Sequence, residues 1–258
     1  MSERKECKNI RKSLIYKTGV EYGDYTLNHV TGCSHGCRYP CYAYMMAKRF
    51  KKVNDYEEWI QPRLVDNIFP LLSKELPRYK DKIKILHLCF STDPYMYAHQ
   101  DICEASTKII EKANTFGIRC SVLTKGVLPI ELSKMPLDNE YGITVVTLDE
   151  DFRKEMEPGA APMEDRICAL EELSKRGCYT WISIEPYPTP NIYNQSLDKL
   201  LERVSFANKI IFGRLHYNKQ VTAYKGYQEF YNDCTKKVIS FCNKCHISYH
   251  IKKGTFIE

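Results

Sequence analysis

The chain has 258 residues, of which 43% are hydrophobic and 27% charged, and its formal net charge is +6. This length supports one large domain with a full core, and no apolar run is long enough to cross a bilayer, which excludes a membrane-spanning class. The charged N-terminus lacks the apolar segment of a signal peptide, so we expect a cytoplasmic protein. Twelve cysteines in such a protein favour metal binding over disulfides.

Short β-branched runs alternate with longer amphipathic runs, which predicts a parallel β/α fold. A first strand is predicted at residues 25–31, and a helical segment that contains several prolines at 50–82. Further strands are predicted at 83–90, 118–124, 142–148, 179–185, 209–213 and 247–251. Helices are predicted between them at 101–116, 164–176, 196–207 and 224–242.

About six such strands form an open, partial parallel β/α barrel, short of the eight strands that close a complete barrel. Asp101 is predicted to cap the first long helix, and Gly117 and Gly177 to follow helix C-termini. We expect a single domain over residues 1–258, with a basic extension at 1–20 and a helix-and-strand extension at 215–258.

Polar side chains follow the predicted strands at the carboxyl edge of the sheet, where parallel β/α folds place reactive groups. The first strand is followed by Cys33, Cys37 and Cys41 on one short loop. Three thiolates so placed can hold three irons of a cubane cluster and leave the fourth iron open for chemistry. A zinc site with His35 as fourth ligand is the alternative. Polar segments at 89–95, 123–126, 147–150 and 184–188 end four later strands and favour a cofactor site.

Several of these segments resemble the radical S-adenosylmethionine (SAM) superfamily, and more narrowly its spore-photoproduct-lyase-like branch, often described as DNA-repair-photolyase-like. The resemblance extends from about residue 26 to residue 191. It depends on the cysteine loop, Ser91-Thr92-Asp93-Pro94-Tyr95, Thr124-Lys125, Thr147-Leu148-Asp149, and Met156-Glu157-Pro158 with Arg166.

The resemblance implies a 4Fe-4S cluster on Cys33, Cys37 and Cys41, with the amine and carboxylate of SAM on the open iron. One electron would then cleave the sulfonium and release a 5′-deoxyadenosyl radical that abstracts hydrogen from a substrate. A reductase or a flavodoxin- or ferredoxin-type protein would supply the electron. The other implied SAM contacts are Tyr39 near the adenine, Ser91, Thr92 and Asp93 at the amine or ribose, Lys125 and Arg166 at the carboxylate, and Thr147.

Two features depart from the family pattern. The usual spacing is Cys-x3-Cys-x2-Cys, whereas this chain has Cys-x3-Cys-x3-Cys, with Pro40 as the inserted residue. Because proline also extends the residue before it, we expect the third thiolate to arrive by a different path, with cluster binding retained. Spore photoproduct lyase uses a hydrogen-donating cysteine where this chain has Phe90. Cys89, one residue earlier, is predicted to be a packed thiol on the other face, so the same repair route is not predicted.

Two other groups are candidates for chemistry. Cys89 and Glu185, both at strand ends, are candidates for catalysis or substrate contact. Near the C-terminus, the Cys-x2-Cys spacing suits a second metal site, while a covering helix with bystander thiols is the alternative. The members of that second site would be Cys234, Cys242, Cys245 and His246.

The sequence therefore predicts a radical SAM enzyme that acts on an unidentified substrate. DNA or RNA fits the mildly basic composition, and basic residues cluster at 4–17 and 48–52, although such runs also form ordinary solvated surfaces. A small metabolite or a peptide is the competing substrate class. The competing functions are a non-catalytic, metal-containing nucleic-acid-binding protein with structural cysteines, and a cluster-binding electron-transfer module.

Overall fold

The computed structural model describes residues 9–21 and 23–255, in which strands and helices alternate. The strands are β1 Ile15–Lys17, β2 Tyr25–Leu27, β3 Val30–Thr31, β4 Arg63–Leu64, β5 Leu86–Leu88, β6 Cys120–Thr124, β7 Glu140–Thr144, β8 Tyr179–Tyr187, β9 Lys209–Arg214 and β10 Ser248–Ile251. The helices are α1 Tyr42–Arg49, α2 Tyr56–Trp59, α3 Ile68–Tyr79, α4 Gln100–Asn114, α5 Glu150–Met156, α6 Met163–Lys175, α7 Leu197–Arg203, α8 Lys219–Ala223 and α9 Tyr227–Cys245, with a 3-10 turn at Ile130–Lys134. Within these ranges, no helix has the length and apolar character that a membrane span requires.

One largely parallel sheet organises the fold, with the strand order β1-β2-β5-β6-β7-β8-β9-β10. β1 pairs antiparallel with β2, and every later pair of neighbours is parallel. Buried Leu, Ile and Val side chains of the strands and helices form the main core. The predicted open parallel β/α barrel is confirmed. The carboxyl ends of its parallel strands share one edge, so the segments that follow them are neighbours.

Several element boundaries differ from the predicted ones. The first predicted strand divides into β2 and β3, and β3 pairs separately with β4. The segment 50–82 contains α2, β4 and α3 and is not helical throughout. The prediction that Asp101 caps α4 is wrong, because α4 begins at Gln100 and Asp101 lies in its first turn, where a carboxylate still favours the helix dipole. Gly117 and Gly177 follow α4 and α6 with φ of +70° and +83°, as predicted.

Both predicted extensions contribute strands to the sheet. The buried carboxylate of Glu75 on α3 accepts hydrogen bonds from the N–H groups of Leu14 and Ile15 at 2.9–3.2 Å, which holds β1 at one edge. At the other edge, β10 pairs with β9. In the loop that follows β1, the Glu21 carboxylate lies 2.8 Å from Nε2 of His250 on β10. This contact links the two edges of the open sheet. The basic residues before position 9 lie outside the described part of the chain.

Candidate cofactor site

A cavity of about 200 Å³ lies at the carboxyl edge of the sheet, beside the loop that follows β3. The cavity is lined by this loop and by residues at the carboxyl ends of β5, β6 and β7. Its lining residues include Cys33, Cys37, Cys41, Cys89, Phe90, Thr92, Asp93, Thr124, Lys125 and Thr144. Strand ends that are far apart in sequence thus form one wall around the three cysteines, as the parallel topology predicts.

The cysteine loop, residues 32–41, is held by backbone contacts with two distant segments. Cys33 N–H donates to the Trp59 carbonyl at 2.8 Å, at the end of α2. Arg38 N–H donates to the Met156 carbonyl at 2.8 Å, at the end of α5. A third hydrogen bond of 3.0 Å runs from the connection after α5 to the His35 carbonyl. The loop conformation therefore depends on tertiary contacts as well as on its own turns.

Gly159, in the connection after α5, packs directly against this loop. A Cβ atom at position 159 would lie 2.0 Å from the Ser34 carbonyl oxygen, so any larger residue must displace the backbone. We expect Gly159→Ala to destabilise the protein by about 1–3 kcal/mol and to make the loop cysteines more reactive towards thiol reagents. Chemical denaturation and thiol-labelling rates measure both effects. Gly19→Ala is the matched control, because nothing lies within 4 Å of its added Cβ. Equal behaviour of the two variants would contradict the prediction.

Pro40 gives the loop its additional residue, and the structure shows the path that results. Tyr39 is 5% exposed and packs in the main core. Cys41 follows Pro40 with an extended backbone (φ −73°, ψ 108°) and caps the start of α1. With three residues between Cys37 and Cys41, the Tyr39 ring packs in the core while the Cys41 thiol lies on the cavity wall. Tyr39 is not among the residues that line the cavity, which leaves its implied adenine contact without support.

Asp93 connects the parts of the cavity wall. Its Oδ1 accepts hydrogen bonds from the Thr124 hydroxyl at 2.6 Å and from Tyr95 N–H at 2.9 Å. Its Oδ2 accepts one from Lys125 N–H at 2.9 Å and lies 3.4 Å from His35 Nδ1. Both carboxylate oxygens are therefore engaged within the protein, and Asp93 joins the ends of β5 and β6 to the cysteine loop.

His35 is buried in the loop between Cys33 and Cys37. Its Nε2 accepts a hydrogen bond from Tyr97 N–H at 3.3 Å, which leaves the ring proton on Nδ1, facing Asp93. Burial lowers the pKa of His35 to about 4, so the ring is neutral at neutral pH. Because both ring nitrogens have protein partners, the geometry does not support His35 as a zinc ligand.

A single zinc ion and a cubane cluster place different demands on three thiols. Across residues 9–21 and 23–255, no group of three or more His, Cys, Asp or Glu side chains is arranged to hold one metal ion. Tetrahedral zinc needs sulfur atoms about 3.8 Å apart, because each Zn–S bond is about 2.3 Å long. In a cubane each thiolate binds a different iron, so the sulfurs lie further apart. The three cysteines are half-buried around one cavity, and an all-sulfur set of three donors suits three irons of a cluster.

A buried charge cluster, formed by Lys125, Glu157 and Arg166, lies behind the cysteine loop. Lys125 Nζ is 2.8 Å from Glu157 Oε1, and Arg166 Nη1 is 2.9 Å from Glu157 Oε2. Glu157 and Arg166 are both 0% exposed. Burial raises the pKa of Glu157, but the two cations outweigh it and hold that pKa below its usual range. The carboxylate is therefore ionised, and the cluster carries a net charge of one positive unit.

The charge cluster changes how two predicted residues are understood. Lys125 Nζ also donates a hydrogen bond to Cys37 Sγ at 3.3 Å, so the ammonium faces a cysteine as well as a carboxylate. Arg166 is enclosed, with Nε donating to the Ala161 carbonyl at 2.9 Å, and does not line the cavity. Glu157 was not predicted as the partner that Lys125 and Arg166 share, because the neighbouring residues in the sequence do not indicate that it is fully buried.

The remaining residues assigned to SAM differ in their surroundings. The Ser91 hydroxyl donates to Asn28 Oδ1 at 2.9 Å, outside the cavity. The Thr147 hydroxyl accepts the Asp149 N–H at 3.0 Å in the turn before α5. Both hydroxyl groups therefore already have hydrogen-bond partners within the protein. The assigned residues that do line the cavity are Thr92, Asp93 and Lys125.

Cys89 lies on the cavity wall together with Phe90, and strand alternation did not predict this arrangement. β5 ends at Leu88, and Cys89 has a φ of +61°, so the period of two no longer applies there. The thiol is packed as predicted, 3.4 Å from His29 Nδ1, and burial raises its pKa to about 12. The left-handed backbone thus lets Cys89 and Phe90 face the same cavity.

The C-terminal cysteines lie on α9. Cys234 and Cys242 on α9 pack into the main core, whereas Cys245 is exposed. His246 ends the helix with a left-handed backbone. The arrangement gives no support to a second metal site. Glu185 on β8 lies 3.8 Å from the Lys252 ammonium and does not line the cavity, and its contact with substrate stays a prediction.

The family model of the Radical SAM superfamily matches residues 27–204, which contain the cysteine loop and every strand end on the cavity wall. The chain belongs to the radical SAM superfamily. An uncharacterised protein of Acidianus two-tailed virus is 27% identical over 201 residues, which cover 72% of this chain and 64% of that protein. One from Methanocaldococcus jannaschii is 29% identical over 178 residues, which cover 68% and 64%. This radical SAM chain thus spans less than two thirds of the length of these relatives.

Solved structures of spore photoproduct lyase share the fold. One mutant, with AdoMet and dinucleoside spore photoproduct bound, has a TM-score of 0.63 and 13% identity, and covers 96% of this chain and 81% of that one. Another mutant has a TM-score of 0.67 and 11% identity, and covers 94% and 80%. At such identities the likeness shows the fold, which agrees with the spore-photoproduct-lyase-like resemblance of the motifs.

Proposed function

We propose that this protein is a radical SAM enzyme that holds a 4Fe-4S cluster on Cys33, Cys37 and Cys41 and cleaves SAM reductively. The observation that carries the proposal is the placement of three half-buried thiols on one cavity, which also receives the ends of β5, β6 and β7. The donor set is all sulfur, which suits iron–sulfur chemistry, and it leaves one iron for SAM.

When bound and reduced, such a cluster supplies the electron that breaks the sulfonium C–S bond of SAM, giving methionine and a 5′-deoxyadenosyl radical. The protein positions the reactants and excludes water. The side chains of Thr92 and Lys125 line the cavity, and of these we propose Thr92 for direct contact with SAM. Asp93, whose oxygens are already engaged, fixes that wall. In the cell, a reductase or a flavodoxin- or ferredoxin-type protein would deliver the electron.

The test is anaerobic reconstitution with iron and sulfide, followed by dithionite and SAM. We expect an electron paramagnetic resonance spectrum that SAM perturbs, and formation of 5′-deoxyadenosine. A cluster whose spectrum ignores SAM, without that product, would contradict the proposal and favour an electron-transfer module. A protein that takes up no cluster but binds nucleic acid would favour structural cysteines.

Cys89→Ala separates SAM cleavage from later steps. We expect 5′-deoxyadenosine formation without substrate to equal that of the parent, because Cys89 lies outside the cysteine loop and is not one of the three proposed cluster ligands. Its thiol contacts His29 and Thr92 and packs among apolar neighbours. Chromatographic quantification of 5′-deoxyadenosine checks this. Cys120→Ala is the control, since that thiol is equally buried but is not among the lining residues. Loss of cleavage in Cys89→Ala alone would contradict the prediction, whereas normal cleavage with lost turnover would assign the thiol to hydrogen transfer.

For the substrate we propose nucleic acid. Lys48, Arg49, Lys51 and Lys52 follow the cysteine loop and are all exposed, and Phe50 between them is 61% exposed. Basic side chains interleaved with an exposed aromatic ring suit a backbone with stacking bases. Binding of a single-stranded oligonucleotide at several salt concentrations tests this class. A log–log slope near zero would argue against phosphate contacts and favour a small metabolite or a peptide.

A further inference from the structure

Lys125 has a sulfur partner in the structure, and this points to a role that differs from a contact with SAM. We infer that the charge cluster of Lys125, Glu157 and Arg166 sets the reduction potential of the iron–sulfur cluster through Cys37. The inference rests on the proposed cluster. Lys125 is then a positioning residue that acts through Cys37 and stabilises the reduced state of the iron–sulfur cluster, and Glu157 limits that stabilisation.

Several groups together hold the Lys125 side chain. Its backbone N–H is fixed by Asp93 at 2.9 Å, directly after β6. Its ammonium lies 2.8 Å from Glu157 Oε1 and 5.4 Å from the centroid of the Tyr39 ring. The remaining close contact is the hydrogen bond of 3.3 Å to Cys37 Sγ. An ammonium held in this way has little freedom to turn from Cys37.

The electrostatic consequence follows from the charge that reduction adds. One electron from an external donor makes the cluster more negative by one unit. A cation beside a ligand sulfur stabilises that charge strongly where water is scarce, and hydrogen bonds to ligand sulfurs set cluster potentials. The Lys125 side chain is 16% exposed and that of Glu157 is 0% exposed, so both act through protein.

Glu157 and Arg166 determine how much of the Lys125 charge acts on the sulfur. The Glu157 carboxylate opposes the ammonium, while Arg166, 2.9 Å away on the other oxygen, offsets the carboxylate in turn. Arg166 also donates to the Thr144 carbonyl at 3.2 Å, which anchors the set to β7. Lys125 is therefore the member of the charge cluster whose charge contacts Cys37.

Tuning of the cluster and contact with the SAM carboxylate both predict that a Lys125 variant loses activity. The reduction potential of the cluster, measured without SAM, separates the two roles. Lys125→Met keeps the side-chain length and leaves the Glu157–Arg166 ion pair intact, so the fold is retained. We expect the one-electron reduction of the reconstituted cluster to become at least tenfold less favourable, a fall of about 59 mV in midpoint potential. Lys125→Arg restores most of the loss, and Glu157→Gln shifts the potential upwards.

Dye-mediated titration with dithionite, followed by electron paramagnetic resonance, measures these potentials. Lys134→Met, an exposed lysine in the segment after the same strand, is the control and should equal the parent. An unchanged potential in Lys125→Met, with weaker SAM binding, would overturn the inference and assign Lys125 to the SAM carboxylate. A parent protein that takes up no cluster would overturn the proposed function as well, so the two failures are distinguishable.

Discussion

Replacing Cys33, Cys37 and Cys41 together with alanine is expected to abolish both iron binding and 5′-deoxyadenosine formation. The reason is that the three thiols supply all the protein ligands of the proposed cluster, and no other described cysteine lines the cavity except Cys89. Iron should fall from about four atoms per chain after reconstitution to background. Iron and sulfide analysis, together with chromatography of the SAM reaction, measures the result.

The control for this variant removes three cysteines elsewhere. Cys103, Cys168 and Cys245 are half-buried or exposed, and none lines the cavity. Their triple replacement by serine should retain iron and SAM cleavage at the level of the parent. Full iron in the alanine variant, or equal losses in the two variants, would show that the loop is not the cluster site.

Replacing Glu157 with leucine is expected to destabilise the fold by about 3–5 kcal/mol, because it leaves two buried cations without their counter-charge. The Lys125 and Arg166 partners are 2.8 and 2.9 Å away, and the carboxylate is 0% exposed. The midpoint of urea unfolding measures the effect. Glu157→Gln should cost less, since the amide oxygen still accepts one hydrogen bond.

Glu155→Leu provides the comparison, on the helix that ends directly before Glu157. Glu155 lies on α5, two residues before Glu157, and its side chain is exposed. A substitution there should change stability by less than about 0.5 kcal/mol. If both leucine variants unfolded at the same denaturant concentration, the buried charge cluster would not stabilise the fold as the structure indicates.

The fold was predictable because its signals are local. A strand that is buried on both faces has a continuous apolar sequence, and a helix with one buried face has an amphipathic sequence. The alternation of these two patterns along the chain predicts a parallel β/α sheet. One error arises where a tertiary contact replaces a local preference, since the residues of β3 leave the main sheet to pair with β4. The other is a helix boundary: α4 begins at Gln100, so Asp101 lies in its first turn and not at its cap.

The candidate site was predictable to the extent that it depends on topology. Parallel strands place their carboxyl ends on one edge, so the cysteine loop, Asp93 and Lys125 were expected to be neighbours, and they share a cavity. The partners of each group were not predictable. Asp93 uses its oxygens within the wall, and Tyr39 turns into the core.

Residue type and short-range periodicity were enough to predict the three-thiol loop, its spacing with Pro40, and the edge of the sheet where chemistry gathers. Three features emerged only from the folded chain: Lys125 donates to Cys37, Glu157 is buried between two cations, and Cys89 faces the cavity. Those outcomes depend on packing between segments that are far apart in the chain, and no local pattern of hydrophobicity or charge encodes which distant groups meet.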